Sequence, residues 1–390
     1  MYEIMRNLLR RISKNRFPYD PLITVSILSA NLLHNLHQFQ SLTTHKSIAP
    51  VLKSNAYGHG LFEVSEILEK ESRSNPIPFF VVDSYFEAVA LRSHGIKTKL
   101  LIIGYSRPET ILACKLKDVS FTVTSLETLR SIAEAKRRIC LHLKIDTGMR
   151  RQGILPKETR DAIRLIISNP ALLLEGITSH LSDSDNSDHK FTLDQISLWN
   201  GLVAEFRHSF SSIKFIHLSA TYGHKFANKI DSNVSRLGIG LYGLGEVKGL
   251  PDKIHLLPVM EITTIITSIK KLRKNETVGY GNTFRADDNM MIATIPVGYY
   301  EALDRRLSNN GFVLVGSERI PSPIIGRISM NITTIDVSHI PDVTIGAPVT
   351  VISNKKSDPN SISSITDSIS DIIPYEIAVK IPSNLKRVVV

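Results

Sequence analysis

Short, apolar, β-branched runs recur along the first two-thirds of this chain, and stretches with helical periodicity lie between most of them. The runs are IAPVLK (48–53), PFFVVD (78–83), KLLIIG (99–104), VSFTVT (119–124), CLHLKID (140–146), LEGITSH (174–180), FIHLSA (215–220) and SRLGIGLYG (235–243). Segments such as LFEVSEILEKES, YFEAVALRSHG and SLETLRSIAEAKRR separate them. A half-solvated antiparallel strand alternates polar and apolar residues. These runs do not, so buried parallel strands covered by helices are predicted. Eight such units predict a TIM-like (β/α)8 barrel over residues 21–255, although no clear helix separates the last two.

Past residue 255 the pattern changes. VMEITTIITSIK, MMIATIPVGY, GFVLVG, RISMNITTIDV and APVTVIS are strand-like, with joints rich in Gly, Asn and Pro. A separate, mostly β domain is predicted over residues 256–390, with the strand near 22–27 packing on it. The polar stretch at 354–368 reads as a loop with a short helix. Residues 1–20 form a basic extension, read as a short surface helix in preference to a targeting segment, because it has no uninterrupted apolar core.

Composition narrows the partners. Lys+Arg number 47 against 37 for Asp+Glu, but the basic residues are scattered. The densest run, 270–274, lacks the interleaved aromatics of base-stacking surfaces and reads as a solvated turn. No nucleic-acid partner is expected, whereas a positive field attracts small anions. No apolar run reaches the roughly 18–20 residues of a membrane helix, so no membrane partner is expected. The only cysteines, Cys114 and Cys140, make neither a disulfide framework nor a metal site, and a reducing cytoplasm is the expected location.

Chemically capable residues cluster just past the C-terminal ends of the predicted strands: Lys53, Lys144, Asp146, His180 and Thr221. Barrel enzymes keep their active sites on that face. A lone lysine at a strand end reads as a snorkelling side chain; Lys53 is followed by SNAYGHG, and that context changes the reading.

VLKSNAYGHG (51–60) resembles the pyridoxal-phosphate lysine segment of the alanine racemase family. The similarity continues in the same order through HLKIDTGMRRQG (142–153), EGITSHL (175–181), SRLGIGLYG (235–243), VGYGNTF (278–284), IPVGY (295–299), GRISMN (326–331) and IPYEI (373–377). The resemblance implies a barrel followed by a β domain, pyridoxal 5'-phosphate as cofactor, and interconversion of L- and D-alanine for peptidoglycan supply. It implies a homodimer whose active sites are shared between subunits.

By resemblance, Lys53 holds the cofactor as an imine and serves as one base, with Tyr280 as the opposing base. An ordinary tyrosine pKa near 10 makes a poor base, so Tyr280 needs a cationic or hydrogen-bonded setting, for which His180 and Arg236 are the implied relay. Partial burial is expected to keep the Lys53 amine largely unprotonated. Tyr57, Tyr375, Thr221 and the backbone N–H groups of Gly238 and Ile239 are the implied phosphate ligands. The turn at Gly58-His59-Gly60 is expected to let backbone approach the ligand closely. Arg236 is expected at the pyridine nitrogen. A guanidinium has donors only, cannot keep a proton on that nitrogen, and so favours reprotonation at Cα over transamination. Arg151 and Met330 are the implied substrate-carboxylate contacts, Tyr299 lines the mouth, and Lys144 matches a lysine often carbamylated.

The chain departs from the family pattern at Asn331, where aspartate is common, at Ala220, where asparagine is common, and in GYYEALDRR (298–306). Both implied bases are intact. The departures bear on substrate size and turnover, leaving a broader-specificity or serine-preferring racemase as an alternative. A non-catalytic pyridoxal-phosphate-binding protein is a further alternative, though such proteins resemble the barrel alone.

Overall fold

The first described strand lies in the same sheet as the last. The computed structural model describes residues 20–42, 46–133, 137–244 and 254–390; the basic extension predicted over residues 1–20 lies outside them except for its final residue. Strand β1 (Thr24–Ile27) pairs antiparallel with Met260–Ile265 and parallel with Lys386–Val389. It alternates half-buried and buried residues, with Val25 and Ile27 fully inside, the period-2 signature of a sheet with one face on the core.

Helix Ser29–Leu42 carries the chain into the barrel. Among the described residues eight strands then run in parallel: β2 (Ser47–Pro50), β3 (Phe80–Val82), β4 (Leu100–Ile102), β5 (Val119–Val123), β6 (Ile139–Lys144), β7 (Leu172–Thr178), β8 (Phe215–His217) and β9 (Val234–Leu237). They coincide with the eight apolar runs. All of β3, β4 and β5 is buried, as expected of strands enclosed on both faces. The seams close through Leu52 N–H to Val81 O (2.7 Å) and Asn233 N–H to Ile216 O (3.0 Å). In place of a helix, a 3-10 stretch (Thr221–Lys229) joins β8 to β9, which explains the missing helical periodicity there.

The C-terminal domain is built on a six-stranded sheet in the order Ile320–Pro323, Phe312–Val315, Pro348–Ile352, Met260–Ile265, β1 and Lys386–Val389. A three-stranded sheet, Ser268–Leu272 with Met290–Ile295 and Thr333–Asp336, stands beside it. Lys270 and Lys271, expected in a turn, lie on the exposed part of its first strand. The polar stretch at 354–368 ends in helix Ile362–Ser368. Helix Pro374–Val379 carries Tyr375 back over the barrel mouth. No helix among the described residues is long and apolar enough to cross a membrane.

Candidate active site

At the C-terminal mouth of the barrel lies a cavity of about 470 Å³, within the range of small-molecule sites. Lys53, Lys144, Arg151 and Arg236 all line it, with His180 beside them. Tyr57, Thr221, Gly238, Ile239 and Tyr375 line it too. Each of these was singled out in the sequence. The described residues lining this cavity include no aspartate or glutamate, so its field favours anions.

Lys53 is half-buried and opens a turn of unusual hand. Ser54, Asn55, Ala56 and Tyr57 have φ of 57°, 55°, 52° and 52°, one turn of left-handed helix made without glycine. Each such L-residue costs about 1–2 kcal/mol, so surrounding contacts must hold it. Glu87 Oε1, at the start of helix Tyr85–Ser93, accepts from Ser54 N–H at 2.7 Å. Asn55 O and Oδ1 accept from the N–H groups of Gly60 (3.0 Å) and Leu61 (2.9 Å). Arg387 Nη2 donates to Gly58 O at 2.7 Å.

The Gly58-His59-Gly60 turn corrects one expectation: the close approach at Gly58 is to protein. Gly58 has φ +80°, and a Cβ there would stand 1.8 Å from Ala378 O. The missing side chain lets the Lys53 turn press against helix Pro374–Val379. His59 is fully buried, hydrogen-bonds Tyr57 O through Nδ1 (2.9 Å), and is held down to about 4 by burial.

One wall of the cavity, around Tyr57 and Gly238, shows a cradle. A Cβ at Gly238 would meet the Tyr57 hydroxyl at 2.8 Å, so this glycine makes room for that group. Burial, with Tyr375 nearby, pushes the Tyr57 phenol up to about 12, and burial raises Tyr375 as well. Both therefore remain donors. Among the described residues, the N–H groups of Gly238 and Ile239 donate to no backbone acceptor outside the strand ladders. The buried Thr122 Oγ1, on the cavity wall, is likewise without a partner. This donor set, in a cationic cavity without acids, fits a phosphorylated aldehyde cofactor.

Arg236, on β9, is buried. Its Nη1 donates to Thr178 Oγ1 (2.8 Å), His217 Nδ1 (2.6 Å) and His217 O (3.1 Å). Its Nη2 donates to Ser179 O (2.8 Å), Leu218 O (3.0 Å) and His180 Nδ1 (3.2 Å). Burial pushes the guanidinium down to about 10, still cationic at neutral pH. Because it has donors only, the tautomers follow. His217 Nδ1 accepts, so its Nε2–H donates to His142 Nδ1 at 2.8 Å. His180 Nδ1 accepts, which leaves Nε2–H as a donor. Burial and Arg236 hold His180 down to about 3, so it stays neutral. Sequence reading missed His142 and His217. Their signal was a histidine inside each of two otherwise apolar strands.

Lys144 ends β6. Burial first, then Arg236 and Arg151, bring its ammonium down to about 8. Tyr280, Met330 and Tyr299 are not among the residues lining the cavity. They are 70%, 56% and 44% exposed, with Tyr300 and Ile332 also open on the same two loops. Tyr280 sits on a 3-10 turn (Tyr280–Asn282) inside a two-stranded hairpin. Backbone bonds tie Tyr299 N–H to Ser329 O (3.1 Å) and Tyr300 N–H to Met330 O (3.0 Å).

Most of the sequence has recognisable relatives. Residues 27–246 match the family model described as alanine racemase, N-terminal domain, and residues 259–389 match alanine racemase, C-terminal domain. An alanine racemase of Methanococcus maripaludis is 32% identical over 362 residues, 91% of this chain and 95% of that protein. Alanine racemase 1 of Caldanaerobacter subterraneus subsp. tengcongensis is 31% identical over 363 residues, 92% of each. The structure of an alanine racemase from Clostridium difficile 630 superposes with a TM-score of 0.86 at 26% identity, over 95% of this chain and 96% of that one. Barrel and β domain are thus both accounted for, and the chain belongs to the alanine racemase family of isomerases.

Proposed function

We propose that this chain racemises alanine with pyridoxal 5'-phosphate, using Lys53 and Tyr280 as bases on opposite faces of Cα in a site shared by two copies. The observation that carries the reading is a division of parts. Lys53 lies in a cationic cavity, while Tyr280, Met330 and Tyr299 stand exposed outside it. Exposed aromatic and apolar side chains on neighbouring loops mark an association surface, and a second copy would bring the missing base to the cavity.

When bound, pyridoxal phosphate withdraws electrons from the Cα–H bond of an attached amino acid and acidifies that proton. Tyr57, Tyr375, Thr221 and the N–H groups of Gly238 and Ile239 would hold its phosphate. Lys53 would hold it covalently, and its free amine would take or return the Cα proton on one face. Arg236 would offer the ring nitrogen of the cofactor at most a hydrogen bond and no proton, because a guanidinium has donors only and keeps its charge at neutral pH. His180 Nε2–H points the same logic at Tyr280: a donor to the phenolic oxygen stabilises the phenolate that acts as the second base. Arg151 and the Met330 N–H bind the substrate carboxylate, and Tyr299 lines the mouth. Lys144, brought to about 8, has a useful fraction of free amine for addition of carbon dioxide. The resulting carbamate anion would be stabilised by the Arg151 and Arg236 charges that depress the ammonium.

The D-alanine so made supplies peptidoglycan, and two unpaired cysteines suit a cytoplasmic location. The test is complementation. Lys53→Ala and Tyr280→Phe chains, each inactive on L-alanine by optical rotation, should recover activity when mixed. Demonstrated mixed dimers without recovery would refute the shared site. A panel of L-amino acids then ranks alanine against serine.

A further inference from the structure

Glu301, which is buried, and Asn331, which is exposed, lie thirty positions apart in sequence and pair across the two segments that carry Tyr299 and Met330. Asn331 Nδ2 donates to Glu301 Oε1 at 2.7 Å. The other carboxylate oxygen, Oε2, accepts from Gly298 N–H at 2.8 Å. Glu301 is 8% exposed, and no lysine, arginine or histidine among the described residues pairs with it as an ion pair.

Around this pair the two segments are pressed backbone to backbone. A Cβ at Gly298 would stand 2.2 Å from Ser329 O and 2.4 Å from Met330 O. The N–H groups of Tyr299 and Tyr300 donate across to Ser329 O and Met330 O. Ala302, directly after Glu301, takes a left-handed φ of 72°, so the chain accepts strain to turn this carboxylate inward.

We infer that Glu301 and Asn331 are positioning residues for the racemase site: as a matched acceptor and donor they lock the Gly298–Glu301 turn to the 329–332 loop and so fix Tyr299 and the Met330 backbone. The inference rests on the proposal that Met330 and Tyr299 face the substrate. The chemistry of the pair is specific. Glu301 must present two acceptors, one to Gly298 N–H and one to Asn331. An amide at 301 turns one acceptor into a donor, and a carboxylate at 331 sets acceptor against acceptor. Asn331, one of the departures from the family pattern, is thereby explained as the donor that Glu301 requires.

The test is a swap. Glu301→Gln and Asn331→Asp should each raise KM for L-alanine about tenfold or more, with a smaller change in kcat. The combined Glu301→Gln/Asn331→Asp enzyme should regain most of that loss. In it, the carbonyl oxygen of the amide introduced at position 301 still accepts from Gly298 N–H, while its amino group donates to the carboxylate introduced at position 331. A merely structural role would lower the thermal midpoint of all three without the recovery in KM. Cofactor content and the visible absorption of the lysine-bound cofactor, both properties of the Lys53 cavity, should stay at wild-type levels in all three. A double variant no better than the singles, or singles with wild-type KM, would overturn the inference. If a single variant fails to fold, the folded double variant with near wild-type KM carries the test, and a folded double variant with raised KM refutes the pairing. Tyr280→Phe separates the two layers. If it racemises alanine at the wild-type rate, the shared-site reading fails. If it is inactive while the Glu301 and Asn331 variants match wild type, only this inference fails.

Discussion

Arg236 Nη1 donates to His217 Nδ1 at 2.6 Å, and this one bond orders a chain of buried groups. It sets His217 Nε2–H toward His142 Nδ1, 2.8 Å away, and leaves His142 Nε2 as a buried N–H without a partner among the described residues. The guanidinium at the cavity is held by neutral imidazoles and carbonyls, so its charge is kept while no carboxylate neutralises it.

Disrupting the chain at its two histidines should cost different amounts. His217→Leu removes the charge-assisted hydrogen bond from Arg236 and orphans the His142 acceptor, and should destabilise by about 3 kcal/mol with a fall in kcat. His142→Leu orphans only the His217 N–H and should cost about 1–2 kcal/mol. Because the residues are coupled, the double variant should cost little more than His217→Leu alone. Urea unfolding of the four proteins measures this; strict additivity would show that the histidines do not act as one chain.

Glycine at 58 is required by space as well as by φ. Gly58→Ala should lose at least about 1 kcal/mol from φ alone, and more from the clash with Ala378 O, with weakened cofactor binding. Gly95→Ala is the matched control: its φ is +93°, with nothing within 4 Å of an added Cβ. It should show only the φ cost. Equal losses in thermal unfolding would deny that the Lys53 turn is pinned by the Tyr375 helix.

Acid should unfold the protein while most carboxylates are still charged. Burial holds His59 at about 4 and His142, His180 and His224 at about 3, with His217 also well below its ordinary value. Unfolded, these groups bind protons near 6.5. Between that pH and about 3–4 the unfolded state therefore binds more protons, and stability falls as pH falls. Each histidine contributes up to about 1.4 kcal/mol per pH unit in that window. Urea midpoints at pH 8, 7, 6 and 5 should drop steeply below 6.5. A flat profile would mean that these imidazoles titrate normally.

The barrel was legible because its strands are buried on both faces and leave uninterrupted apolar runs. Val81, Leu101 and Phe121 sit inside regardless of strand parity. The cavity residues were legible because reactive side chains follow those runs directly. The hand of the Lys53 turn was not, since Ser54, Asn55, Ala56 and Tyr57 carry no glycine signal, and long-range contacts to Glu87 and Arg387 impose it. His142 and His217 were hidden among apolar neighbours in the middle of strands. The Glu301–Asn331 pair spans two loops, and no local pattern relates residues so far apart.

Covalent capture of the cofactor by Lys53 underlies every catalytic role proposed for the cavity. Purified protein saturated with pyridoxal phosphate, reduced with borohydride and digested, should yield one pyridoxyl-bearing peptide, with the label on Lys53 and none on Lys144. Absence of label at Lys53, or labelling at Lys144 in its place, would contradict it.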